Sequence, residues 1–295
     1  MISKSLRLVV ILSVWSALVM GCAPTQQYAQ LGKTGSSYAE AMEQLLVVSN
    51  NIWIDAHSEM LLFDQKKYLE KPNPNVKLEE EYSFYKKIDN KNIDLIARAR
   101  KHAQLLKEYF EAVYRLASLD APERAGKGVE GIIGSLSKLG LEVRNGIGTA
   151  AGTFARVALG FAIRGMLREA LFKNEVISQE LDTQEKFLGW LEKQLQGDLE
   201  LIRNFKEERL LKKAFLSTTP VPNPEAWIEN RRKILIMELT INELENAKGA
   251  AQKLNRAFRD LLEDKLTPEG ITLLIADIES LISVIEALNP SKGSK

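Results

Sequence analysis

The side chains best suited to acid–base or metal chemistry in this chain are those of two histidines and one cysteine. His57 lies in the stretch DAHSE, between Asp55 and Glu59, and His102 follows a basic stretch. Neither histidine has a glutamate three positions before it, so the Glu-x-x-His pattern of di-iron bundles is absent. The zinc motif H-E-x-x-H, the motif Gly-x-Ser-x-Gly and a P-loop are absent as well. We therefore predict surface or half-buried histidines, no metal site, no cofactor and no catalytic residue.

The cysteine, Cys22, stands at the end of a segment with the features of an export signal. Lys4 and Arg7 form a basic start, and Leu8 to Met20 is an uncharged apolar run of thirteen residues. A transmembrane helix needs about 20 apolar residues. The shorter run behind a basic start is typical of a signal peptide.

The four residues that close this segment, VMGC (19–22), resemble the lipobox of bacterial lipoproteins. The resemblance covers the signal segment alone. It implies that the Cys22 thiol receives a diacylglycerol, that residues 1–21 are removed and that the new N terminus is acylated. Two or more acyl chains give stable anchoring in a membrane. Because Ala23 replaces the retention aspartate of enteric lipoproteins, the resemblance also implies the outer membrane, facing the periplasm, in a Gram-negative host.

The charge of the chain excludes some partners. Loss of Lys4 and Arg7 with the signal leaves 38 basic against 39 acidic residues, a net charge of −1. A balanced charge provides no general attraction to nucleic acid or to anionic lipid, so we predict no nucleic-acid partner. With Cys22 acylated, the chain has no second thiol for a disulfide, and its stability must come from burial.

The rest of the chain has helical periodicity throughout, with no alternating strand-like runs. Residues 22–37 are polar and contain glycine, which predicts a flexible tether. Residues 38–289 then form one helical domain, and residues 290–295 form a disordered tail. Prolines near residues 72 and 220 separate long helices, because proline removes a backbone donor and disfavours helix in the residue before it.

The predicted fold class is all-α: an elongated antiparallel helical bundle with coiled-coil-like long helices and one glycine-rich helix or helical hairpin. Helices on either side of Asn73 should pair antiparallel. That pairing places His57 opposite residues near 90 and His102 opposite residues near 45. The two histidines are then too far apart to share a metal ion.

The glycine-rich element is the least ordinary part of the sequence, since ten of the eighteen glycines fall between residues 126 and 165. Close packing of helices is the interpretation we favour, because small residues allow helix axes to approach. The alternative is entry into a membrane, which would give an architecture similar to the α-helical pore-forming toxins of the cytolysin A type. An arginine within the apolar stretch opposes it. Candidate contact residues for packing, a partner or a membrane are Gly148, Gly152, Phe154, Gly160 and Phe161.

These observations predict a lipid-anchored, non-catalytic binding or scaffolding bundle of the cell envelope. Its expected partners are the membrane, through the lipid on Cys22, and an envelope protein or a second copy of the chain. The alternative function is a membrane-active helical bundle that uses segment 126–165.

Overall fold

The computed structural model describes residues 22–69, 72–118, 175–243 and 245–288, and every regular element in these ranges is helical. After the third long helix, the chain continues through a π-helical segment, Glu207–Lys212, and a last α-helical turn, Lys213–Phe215. The predicted all-α class is confirmed. The six main helices are α1 (Cys22–Leu69), α2 (Pro74–Ser118), α3 (Glu175–Lys206), α4 (Pro224–Glu243), α5 (Glu245–Leu262) and α6 (Pro268–Leu288).

The connection between α1 and α2 is the proline-containing turn that the sequence predicts. Asn73 has a φ of 54°, in the left-handed region that asparagine tolerates better than most residues. Pro74 then occupies the first position of α2, where its missing N–H costs no helical hydrogen bond. The Val76 amide donates to the Asn73 carbonyl at 3.2 Å, which closes the turn. The conformations of Asn73 and Pro74 therefore account for the turn and for the start of α2.

Helices α1 and α2 pair antiparallel, as predicted. Moving toward the N terminus of α1 moves each contact toward the C terminus of α2. The pairs are Tyr68 with Glu81 (2.6 Å), Trp53 with Asp89 (3.1 Å) and Glu43 with Arg100 (3.0 Å). The predicted position of His57, opposite residues near 90, is also confirmed, because its ring pairs with Asp89.

The prediction of a flexible tether over residues 22–37 is wrong. These residues form the first part of α1, and Tyr28, Leu31 and Thr34 are buried. The glycines of this stretch serve close packing. A Cβ built on Gly32 would lie 2.6 Å from the Tyr114 backbone nitrogen. A Cβ on Gly35 would lie 2.5 Å from the Phe110 ring, so only glycine lets the two helices approach this closely.

The chain divides into two compact units, and the predicted domain over residues 38–289 contributes to both. Each unit takes segments from several helices, so the division does not follow helix ends. Within the described ranges, the first unit comprises 22–39, 104–118, 175–182 and 253–275. The second comprises 40–69, 72–103, 183–243, 245–252 and 276–288.

The first unit has an aromatic core with a polar edge. The rings of Phe110 and Phe258 meet edge to face at 6.4 Å between centroids, and both side chains are fully buried. At the edge, Asp182 accepts hydrogen bonds from Asn255 at 2.7 Å and from Arg259 at 2.6 Å. The core therefore joins α2 with α5, and the Asp182 carboxylate joins α3 with α5.

The second unit contains an apolar seam of near-heptad spacing on α3. Its apolar residues at three- and four-residue steps are buried, as a helix in a bundle requires: Leu188, Leu191, Leu195, Leu199 and Ile202. Helices α4 and α5 follow each other along the chain, and residue 244 lies outside the described ranges.

Substitution of Gly32 tests the close approach of α1 and α2. Alanine favours helix over glycine by about 1 kcal/mol, yet its methyl group would meet the α2 backbone. We expect Gly32→Ala to lower the free energy of unfolding by about 1–3 kcal/mol, as overpacking does. Gly197→Ala is the matched control, because no atom lies within 4 Å of the added Cβ. It should raise the denaturant midpoint. A Gly32→Ala midpoint at or above wild type contradicts the packing described.

Candidate functional site

A cluster of polar and aromatic side chains surrounds His57 in the second unit. Asp89 Oδ1 accepts a hydrogen bond from Trp53 Nε1 at 3.1 Å and lies 2.5 Å from His57 Nδ1. The ring of Trp53 meets the histidine ring edge-on at 5.0 Å, and the ring of Tyr85 lies at 4.8 Å. The histidine side chain is 13% exposed, so the predicted half-buried histidine is confirmed here.

Helix α3 adds a carboxylate near this cluster. Asp198 is 8% exposed, and its Oδ1 accepts a hydrogen bond from Gln194 at 3.0 Å. Burial raises the pKa of Asp198 above its usual value, because removal from water disfavours the charged form. The hydrogen bond from Gln194 and the nearby charge of His57 act in the opposite direction, and the net shift remains upward.

The geometry of the cluster resembles half of a catalytic arrangement, an imidazole oriented by a carboxylate. Catalysis also requires a nucleophile or a substrate placed at the other ring nitrogen. Here two aromatic rings pack against the imidazole, and the carboxylate is shared with an indole N–H. Among the residues described, no group of three or more His, Cys, Asp or Glu could hold a metal ion. The arrangement accounts for the joining of α1 and α2 by polar contacts.

A second polar contact links α1 to the π-helical segment. Arg209 Nη2 donates to both carboxylate oxygens of Glu59, at 2.8 and 2.9 Å, and the Glu59 side chain is 9% exposed. The rings of Phe63 and Phe205 pack beside this pair at 4.7 Å. A bidentate pair with one buried partner holds the segment in a single position, because releasing the arginine would leave a buried charge uncompensated.

An apolar surface lies where the π-helical segment ends and α4 begins. Trp227 Nε1 donates to the Leu211 carbonyl at 3.2 Å, and the Phe215 ring stacks on the indole at 5.8 Å. We call this the Trp227 surface, defined by six apolar residues: Phe215, Leu216, Trp227, Ile228, Leu235 and Ile236.

Two arginines divide the Trp227 surface. Arg231 and Arg232 lie one turn after Trp227 and one turn before Leu235. A pair of basic residues therefore separates two pairs of apolar residues along α4. The α4 residues line a shallow depression of about 390 Å³. Exposed apolar patches of several hundred Å² commonly mark interaction sites on soluble proteins. The Trp227 surface is therefore suited to binding a partner.

The predicted site residues are placed as follows. Cys22 is the first residue of α1. Gly148, Gly152, Phe154, Gly160 and Phe161 lie outside the described residues, as does the whole 126–165 segment. Within the described ranges, no helix has both the length and the apolar character needed to cross a membrane.

Sequence reasoning missed Asp198 and the Trp227 surface. The signal that could have identified the surface is the pair Phe215-Leu216, which directly precedes the proline-rich connector. Asp89 could have been identified from the predicted pairing of His57 with residues near 90.

No family model, curated protein or solved structure matches this chain. Its function must therefore be inferred from its own residues.

Replacement of Asp198 by asparagine tests the electrostatics of the His57 cluster. Because the folded pKa is raised, Asp198 contributes most to stability when protonated, and this contribution is lost as pH rises through the folded pKa. Asparagine keeps the acceptor for Gln194 without the charge. We expect Asp198→Asn to be more stable than wild type at pH 7, with the difference shrinking toward pH 4. Glu200→Gln, an exposed change on the same helix, is the control for loss of one charge. Urea unfolding at each pH measures the difference in stability between Asp198→Asn and wild type. A difference that does not change with pH contradicts the raised pKa of Asp198.

Proposed function

We propose that this protein is a lipid-anchored component of the cell envelope whose helical bundle acts by binding rather than by catalysis. The anchor is a diacylglycerol on Cys22, with residues 1–21 removed as a signal peptide. In a Gram-negative host the protein lies at the outer membrane and faces the periplasm, because Ala23 follows the modified cysteine.

The observation that carries the proposal is the packing of α1 close behind Cys22. Gln27 Nε2 donates to the Leu266 carbonyl at 3.0 Å, and Tyr28 is 3% exposed. Six residues of α-helix span about 9 Å. A lipid on Cys22 would thus be joined to packed helix within two turns, and a pull on the anchor would act directly on α1. This arrangement suits a protein that holds something at a membrane.

Two features support binding over catalysis. The polar side chains around His57 and Glu59 are engaged with partners on neighbouring helices, so these contacts serve to join elements. The Trp227 surface, in contrast, presents apolar side chains and arginines to solvent. Exposed aromatic, aliphatic and arginine side chains on a preformed surface are the composition expected where a binding partner is desolvated.

Metabolic labelling tests the anchor. Cells expressing the chain are grown with radioactive palmitate, and the protein is isolated and fractionated. Wild type is expected to take up label and to sediment with membranes. Cys22→Ser should lose all label, because the chain has no other cysteine. The double variant Cys22→Ser, Gly197→Cys restores one thiol at an exposed helical position and should also remain unlabelled. Wild type without label would refute the lipid anchor.

A further inference from the structure

The most exposed large apolar side chains of the described residues are adjacent in sequence. Leu216 is 76% exposed and Phe215 is 67% exposed. They stand at the end of the α-helical turn Lys213–Phe215, where the Leu216 amide donates to the Lys212 carbonyl at 2.8 Å. A consecutive pair this exposed is available to a binding partner. These two residues form the tip of the Trp227 surface.

The tip is held in place by its own neighbours. The Phe215 ring stacks on Trp227 with an interplanar angle of 26°, and the indole N–H is fixed by the Leu211 carbonyl. Glu59 and Arg209 fix the π-helical segment that supplies this carbonyl. Since the tip is preformed, binding through it requires little loss of conformational entropy.

Basic side chains flank the tip. Lys212 pairs with Glu207 at 3.4 Å, and Glu229 pairs with both Arg232 and Lys233. Lys213 and Arg231 are exposed, and neither forms an ion pair with any side chain that the structure describes. Two cations on either side of the apolar tip are therefore available to an anionic ligand.

We propose that the Trp227 surface binds an anionic phospholipid membrane. Phe215 and Leu216 enter the boundary between headgroups and acyl chains, and Lys213 and Arg231 bind lipid phosphates. A protruding apolar tip fits a bilayer, which deforms around it, better than a protein, which would need a matching cavity. Aromatic side chains favour the depth at which the stacked Phe215 and Trp227 would lie. This inference rests on the proposed binding function and names its ligand.

A single thiol-reactive fluorophore at position 216 tests the proposal. The Leu216→Cys chain is purified from membranes in full-length processed form, labelled with bimane and reconstituted. The vesicles contain phosphatidylethanolamine and phosphatidylglycerol at a ratio of about 7:3, which gives an anionic surface for attraction of the basic side chains. Brominated acyl chains should quench the fluorophore in these vesicles and should quench it less in phosphatidylcholine vesicles. Gly197→Cys, labelled in the same way, is the control and should remain accessible to aqueous iodide.

Charge neutralisation tests the phosphate contacts. Each lysine or arginine near an anionic surface strengthens binding about fivefold. Lys213→Gln with Arg231→Gln should therefore reduce the ratio of membrane-seated to free label about 25-fold. Asp198→Asn leaves the surface intact and should not change this ratio.

Two outcomes would overturn the proposal. In the first, the label at 216 is as accessible to iodide in anionic vesicles as the label at 197. In the second, the label is shielded without lipid quenching and in proportion to protein density, which would assign the surface to another protein or a second copy. The anchor is tested separately, because a wild-type chain that takes up bimane has a free Cys22 thiol and lacks the proposed lipid.

Discussion

The antiparallel register of α1 against α2 is the constraint on which the other contacts depend. Asn73 in its left-handed conformation and Pro74 at the start of α2 set this register locally. The described pairs of α1 with α2, from Tyr68 with Glu81 to Glu43 with Arg100, follow this register. In the first unit, the register brings Gly32 to the α2 backbone. In the second unit, it places His57 against Asp89. A shift of one residue would turn different faces of both helices toward each other.

Helix periodicity and turn chemistry made much of the fold predictable. The end of α1, the start of α2 and the buried seam of α3 follow from apolar spacing and from proline, which act within a few residues. The N-terminal part of α1 was not predictable in this way. Low helix propensity at Gly32 and Gly35 indicates flexibility in an isolated segment. Their role depends on Tyr114 and Phe110, about 80 residues away, which periodicity alone does not bring into contact.

Asp89, Asp198 and the Trp227 surface also differ in whether local sequence could predict them. Asp89 belongs to the helix that a short turn pairs with α1, so its proximity to His57 follows from the register. Asp198 comes from α3, which no short connection joins to α1. The Trp227 surface was missed because apolar periodicity is the same for a buried face and an exposed one. Exposure depends on the folded chain. Leu216, whose side chain is 76% exposed, is the clearest example.

The proposed anchor and the proposed lipid-binding surface are two separate contacts with membrane lipid. A lipid on Cys22 would hold the start of α1, which is packed from Tyr28 onward. The Trp227 surface would make a separate contact with membrane lipid in the second unit. The two proposed contacts would use different chemistry, covalent acyl chains in one case and aromatic and basic side chains in the other. Each can therefore be measured without the other.

The central claim is that Cys22, the proposed anchor, leads directly into packed helix. Hydrogen–deuterium exchange of the processed protein on its membrane tests this most directly. The account predicts that amides of residues 28–39 exchange as slowly as those in the interior of α2, since both lie in the buried helix pair. Exchange of residues 28–39 at the rate of an unstructured peptide would contradict it and would restore a flexible tether between the lipid and the bundle.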